Sequence, residues 1–192
     1  GHSANSFYVF EQVYDKAGKP IEGLFVDRNK DGVINDGDRY FCKKPSADVI
    51  MGFTSKLVYK SWDFSFSLRS NLGNYVYNNI ASSKAAISEG SINNKGYLSN
   101  RPLSAFKSNF QNVSLLSDYY VTNASFLRCD NITLGHTFKN LFGKVSGRVY
   151  GTVQNAFVIT KYAGLDPEVK DGLDKNIYPR PLVGILGVSL NF

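Results

Sequence analysis

The chain has 192 residues, 43% of them hydrophobic and 14% aromatic, and carries a formal net charge of +6. No stretch approaches the roughly 20 consecutive apolar residues a membrane helix needs, and the Lys and Arg residues are scattered without the basic patch that nucleic acid requires, so neither a helical membrane protein nor a nucleic-acid binder is expected. Cys42 and Cys129 lie far apart with no CxxC or histidine-spaced partner, which argues against zinc and leaves Cys129 as a small apolar filler in a strand.

Gly1-His2-Ser3-Ala4-Asn5 is unlike the start of an exported precursor, so processing or fragmentation is expected to set this end. Residues 7–14 then alternate, with Phe7, Val9 and Val13 opposite Tyr8, Phe10 and Tyr14, and predict a first strand. A polar loop over 15–46 follows. Residues 49–59 place Met51, Phe53, Leu57 and Tyr59 on one side. After a short turn at Lys60-Ser61, Trp62, Phe64, Phe66 and Leu68 oppose Asp63, Ser65, Ser67 and Arg69. Residues 73–118 are rich in Asn, Ser and Gly and read as loop, with room for a short helix within 75–88. A long strand over 119–138 carries Ile132, Leu134 and Phe138 against Asn131, Thr133 and Thr137. A turn at 139–143 returns the chain into Val145, Gly147, Val149, Gly151 and Val153, opposite Arg148, Tyr150, Thr152 and Gln154. After a loop over 162–180, Leu182, Gly184, Leu186, Val188, Leu190 and Phe192 share one face of a terminal strand.

Six strands with long and short connections in alternation predict an all-β fold, an antiparallel transmembrane β-barrel. Lipid solvates the apolar face there, and long loops lie outside the cell with short turns on the periplasmic side. The loops holding Asp27, Asn94 and Asp166 fall on the long side. Six strands are fewer than the roughly eight that close a barrel, so residues 1–192 are read as one carboxyl-terminal portion of a larger one.

Asp27-Arg28-Asn29-Lys30-Asp31-Gly32-Val33 has the ligand spacing of a calcium loop. Oxygens come from Asp27, Asn29 and Asp31, the Val33 carbonyl, Asn35 and Asp38, so a structural Ca2+ is expected. Asp at position 38 is shorter than the usual Glu, flanking helices are missing, and an Asx-rich turn would use the same residues. Asp166 and Glu168 flank Pro167 in a turn with no nucleophile beside them, His2 and His136 are isolated, and no enzymatic constellation emerges.

DRNKDGVINDGD, SWDFSFSLRSNLGNYVYN, NASFLRCDNITLGHTF, QNAFVITKYAGLDPE and YPRP occur in this order over nearly the whole chain. Together they resemble the carboxyl-terminal part of the SusC/RagA family of TonB-dependent outer-membrane transporters from Bacteroidetes. The resemblance implies the last six or so strands of a 22-stranded barrel in the cell outer membrane. It also implies a plug and TonB box outside this chain, energy from the TonB complex, a SusD-like surface lipoprotein acting as a lid, and oligosaccharide or peptide substrates. Cys129 and His136 stand where the family more often has Lys and Tyr.

Arg69, Arg148, Asp63 and Gln154 are candidate lumen residues, with Arg69 and Arg148 also candidate solute contacts. Asn71, Asn74, Tyr75 and Asn78 are candidate solute contacts at the loop entrance, because aromatic faces stack on sugars and amides bond hydroxyls. The competing expectation is a soluble calcium-dependent carbohydrate-binding β-domain, which would hide its apolar faces in a dry core.

Overall fold

The computed structural model describes residues 1–87, 100–114, 116–141, 143, 145–175 and 178–191; Asn94 and Phe192, both used in the sequence reading, fall outside these. The described strands, in chain order, are β1 (Tyr8–Val9), β2 (Gln12–Tyr14), β3 (Pro20–Phe25), β4 (Tyr40–Phe41), β5 (Val49–Tyr59), β6 (Trp62–Leu72), β7 (Tyr75–Tyr77), β8 (Val121–Asn123), β9 (Phe126–Leu141), β10 (Val145–Thr160) and β11 (Val183–Asn191). Among the described residues, two short helices, α1 (Asn79–Lys84) and α2 (Ser104–Ser108), lie between β7 and β8. The chain divides into two compact units: residues 47–73, 125–161 and 178–192, and residues 1–46, 74–124 and 162–177.

The first unit is one antiparallel sheet in the order β11-β10-β9-β6-β5. Its strands run 9 to 16 residues, enough for the roughly 9–11 residues a tilted membrane strand requires. The registers carry the predicted alternation through the sheet. Phe64 pairs with Leu134 and Leu57, Gly151 with Leu134 and Leu186, and Val149 with His136 and Val188. One face is therefore apolar across all five strands.

That face is not folded into an interior. Leu186 is 89% exposed, Val188 67%, Ile159 61% and Leu57 60%. Each large apolar side chain left in water forgoes about 1.5–3 kcal/mol of burial. The buried apolar clusters lie in the other unit, and Phe64, Phe66, Leu186 and Leu190 belong to none of them. A soluble sandwich would have paired this face with a second sheet.

The strand expected over 7–14 is a correction. It breaks into β1, which pairs with β4, and β2, which pairs with β3, and neither joins the sheet. The Phe10 N–H donates to the Leu116 carbonyl, and the Asp118 N–H to the Phe10 carbonyl, so residues 116–118 take the backbone between the two pieces. Phe7 and Val9 point into a core with Tyr77, Ala81, Phe110 and Tyr120. Period-2 alternation is the same whether the apolar side meets lipid or a core. The strand expected over 119–138 likewise begins as a 3-10 turn and β8, paired with β7, before β9 enters the sheet. Five long strands, not six, build the described sheet.

Candidate functional site

The polar face of the sheet carries Asp63, Ser65, Ser67 and Arg69 on β6, Asn131, Thr133, Gly135 and Thr137 on β9, and Arg148, Tyr150, Thr152 and Gln154 on β10. Asp63, Arg69 and Arg148 of this face are each held in an ion pair. Arg148 Nε and Nη2 donate to Asp63 Oδ1 and Oδ2 at 2.9 and 2.6 Å, although β9 lies between their strands. The bridge passes over Gly135, where a Cβ would come within 2.5 Å of Arg148 Nη2 and 2.6 Å of Asp63 Oδ1. The Arg148 guanidinium also sits 4.7 Å from the Tyr150 ring centroid, and that ring covers Gly187 of β11. A single chain of contacts thus ties four strands together. Farther along, Thr133 and Thr152 share a 2.8 Å hydrogen bond, and Thr54 and Ser67 one of 3.1 Å.

Arg69 donates from Nε and Nη2 to Asp130 at 3.2 Å each. Alternation assigns Asp130 to the apolar side with Ile132 and Leu134. A register shift lets Leu68 pair with Cys129 while Ser67 pairs with Asn131, and leaves Asp130 as the extra residue. Bulges re-aim side chains in this way. Sequence reasoning missed Asp130; its one trace was a carboxylate on a face that should hold none. A matching shift between Gln154 and Phe157 keeps β10 in step.

The other unit holds the long connections. Its six-residue apolar core is joined by a second cluster of Val76, Ala124 and Tyr162. The Tyr162 hydroxyl donates to Asp174 at 2.6 Å, and burial, then the Asp174 carboxylate, push it above its usual pKa. Tyr40 donates to Asp118 at 2.7 Å and is raised first by burial. Glu22 accepts from the Gln111 and Asn112 N–H groups at 2.9 and 2.7 Å, clasping two distant segments. Asp166 Oδ1 accepts the Glu168 N–H at 2.8 Å, a turn rather than a reacting pair.

The six proposed solute contacts are divided between the units. Arg69, Asn71 and Arg148 lie on the polar sheet face, both arginines already engaged by carboxylates. Asn74, Tyr75 and Asn78 lie in the loop unit. Asn78 Oδ1 caps α1 through the Ala81 N–H at 2.8 Å. Asn74 is buried with its amide toward the Pro167 carbonyl, and Tyr75 packs against the main core with Lys43 Nζ 5.2 Å from its ring centroid.

In the Asp27 loop the side-chain oxygens meet amides. Asp27 accepts from Lys30 and Gly32, Asn29 from Asp31, and Asp31 from Val33, all between 2.7 and 2.9 Å. The Val33 carbonyl accepts from the Asn35 amide at 3.2 Å. Asp38 lies wholly under the loop and takes the Arg28, Asn29 and Asn35 N–H groups. The Asn35 bond is the largest influence holding its carboxyl below the usual value. The amides return more to this charge than burial costs it. Among the described residues no three His, Cys, Asp or Glu side chains converge as a metal cluster. The loop closes on its own hydrogen bonds.

The TonB-dependent receptor SusC of Bacteroides thetaiotaomicron is 54% identical to this chain along its entire length. The chain belongs to the SusC/RagA family of TonB-dependent receptors. A second member of this receptor class, TonB-dependent receptor P3 of Formosa agariphila, is 26% identical, again over the full chain. Among solved structures, the RagAB peptide transporter superposes on 97% of the chain with a TM-score of 0.74 at 22% identity, covering 23% of its own length. The RagAB peptide importer in its open-open state does so at 0.69 and 21% identity. No family model matches. The chain spans about a fifth of the SusC and P3 relatives, 20% and 22%. In this SusC/RagA segment the sheet is all-β barrel-type wall, and no helix among the described residues is long and apolar enough to cross a membrane.

Proposed function

We propose that this segment forms part of the barrel wall, with its outer loops, of an outer-membrane TonB-dependent importer of oligosaccharides or peptides. The observation that carries the reading is the five-stranded sheet whose apolar face stays outward and whose edge strands, β5 and β11, each have one partner. Exposed apolar surface and open edges are both tolerable when lipid solvates the face and further strands continue the wall. The soluble carbohydrate-binding alternative needs a closed core beneath those strands, and the described sheet has none.

The transported solute passes the polar face, where Arg69 and Arg148, held by Asp130 and Asp63, keep the wall hydrated while limiting its net charge. Energy comes through the TonB complex, and a SusD-like lipoprotein covers the outer side; the likeness to SusC and RagAB supports both. The test is uptake of labelled oligosaccharide and labelled peptide by cells carrying the intact receptor, with and without TonB and the adjacent lipoprotein. Import that survives loss of TonB, or an intact receptor that fractionates without detergent, defeats the proposal.

Calcium is a separate proposal and rests on ligand spacing alone. In it, Asp27, Asn29, Asp31, the Val33 carbonyl and Asp38 take one Ca2+ with the lone pairs their amide bonds leave over. Calorimetric titration of the EDTA-treated receptor should then give one saturable site lost in Asp31→Ala; an unchanged isotherm in that variant rejects it.

A further inference from the structure

Within the loop unit, a hollow of about 470 Å³ is lined by Glu22, Gly23, Phe25, Asn112, Val113 and Ser114. One of its walls is a bow in β3. Gln12 pairs with Phe25 and Tyr14 with Pro20, and the register shift between those pairs pushes Ile21 to Leu24 out of the ladder. Such bulges re-aim side chains and recur beside functional sites. The bow is held from behind by one buried side chain. Gln12 Nε2 donates to the carbonyls of Ile21 at 2.7 Å and Leu24 at 3.1 Å, and Gln12 Oε1 accepts from Ser117 Oγ at 2.9 Å. Gly23, at φ 69, stands between those carbonyls, and a Cβ there would meet nothing within 4 Å, so bare backbone faces open space.

Three side chains give the hollow its chemistry. The Phe25 ring stacks on Phe10 with centroids 5.0 Å apart, and the Arg39 guanidinium lies 5.0 Å from the Phe10 centroid. Phe25 is thus a braced ring, and neither Phe10 nor Arg39 lines the hollow. Among the described residues, Glu22 meets three N–H donors, those of the Gln111 and Asn112 backbone and Asn112 Nδ2 at 3.0 Å. A carboxylate has about four acceptor positions, and the one left over is on Oε2. Because Asn112 Nδ2 is committed to Glu22, the Oδ1 end of that amide turns away from it. A flat apolar ring beside two acceptors calls for a ligand with an apolar face and several donors. Sugar hydroxyls donate without carrying charge, and the C–H face of a pyranose covers an aromatic ring. A peptide backbone offers one N–H per residue and brings as many acceptors, which this wall is less able to answer.

We propose that this hollow is a binding subsite for a neutral oligosaccharide. One pyranose ring lies against Phe25 and comes close over Gly23, while its hydroxyls donate to Glu22 Oε2 and Asn112 Oδ1. The site rests on the import reading above and deepens it, naming the solute and giving it a contact in the loop unit as well as along the polar sheet face. The groups are set before any ligand arrives, by Gln12 behind the bow and by the Glu22 clasp, so little ordering is left to oppose binding.

The test is calorimetric titration of the intact receptor, in detergent, with neutral hexasaccharides of α-linked glucose, β-linked mannose and β-linked fructose, and with trilysine as a cationic peptide. At least one hexasaccharide should bind the wild type, and trilysine should not displace it. Phe25→Leu keeps apolar bulk against Phe10 but loses the flat face, and should weaken binding about tenfold. Val113→Trp, at an exposed side chain, fills the hollow and should abolish binding there. Folding of each variant is checked by the heat-dependent gel shift of an intact barrel and by unchanged protease cutting near residue 111. Equal affinity in the folded variants, a wild type that binds none of the three sugars, or displacement by trilysine overturns the site, even where TonB-dependent uptake persists. Uptake that survives loss of TonB overturns the import reading, even where the hexasaccharide still binds at this hollow.

Discussion

Gly135→Ala should weaken the barrel through an ion pair that belongs to neither of its neighbours in sequence. The new methyl carbon would sit 2.5 to 2.8 Å from Arg148 Nη2, Asp63 Oδ1 and Arg148 Nε. All three are side-chain ends, so the backbone need not move; the bridge must. Hydrogen bonds to charged groups contribute about 1.5–3 kcal/mol each when buried. Arg148 and Asp63 are 33% and 15% exposed in their side chains. Discounting for water on the polar face leaves about 2 kcal/mol for the two bonds together. Replacing glycine by alanine inside a strand returns about 0.5–1 kcal/mol. The net loss is therefore about 1 kcal/mol. In an Asp63→Ser, Arg148→Gln background the obstruction is gone, and the same alanine should stabilise by about 0.5–1 kcal/mol. The swing of about 2 kcal/mol exceeds the roughly 0.5 kcal/mol scatter of independent sites. Reversible urea unfolding of the intact receptor from lipid vesicles measures it. An alanine cost that is the same in both backgrounds refutes the bridge as the reason for glycine here.

The Asp38 carboxyl is held below its usual value, the Asn35 N–H first among the causes. Its stabilising effect on the loop is thus fully present above the unfolded carboxyl value near 4. It is lost as pH falls through the lowered folded value; exchange of the Arg28, Asn29 and Asn35 amides should speed up only in that acid window, and an Asp38→Asn variant should show fast exchange already at neutral pH. Asn78→Ala should cost about 1 kcal/mol by uncapping α1, whereas Asn78→Asp keeps the cap; if the aspartate variant is stable yet loses uptake, Asn78 touches solute as well as the helix. Glu22→Gln keeps the shape but gives up the charge that holds the Gln111 and Asn112 amides, so a protease should cut near residue 111 sooner than in the wild type. Unaltered cutting would mean the clasp is idle.

Much of the sheet is legible in the sequence itself. Period-2 alternation in 49–59, 62–69 and 145–153 marked the strands, and it separated Phe64 and Leu186 from Asp63 and Arg148, because a pleat sends successive side chains to opposite sides. Asp27 through Asp38 was readable as a turn of oxygen acceptors for the same local reason. The solute candidates were harder. Asn74, Tyr75 and Asn78 look like a sugar-facing group in sequence, yet they fill a buried corner, a packing position and a helix cap.

Composition and periodicity alone established the long strands and their two faces, since these depend only on neighbours within a few residues. The tertiary structure alone decided that residues 7–14 leave the sheet for the loop core, that a bulge turns Asp130 onto Arg69, and that Asp63 meets Arg148 over a bare Gly135. Each of these joins residues tens of positions apart. Such pairings follow from strand register and from which segments share a core, and neither leaves a periodic mark along the chain.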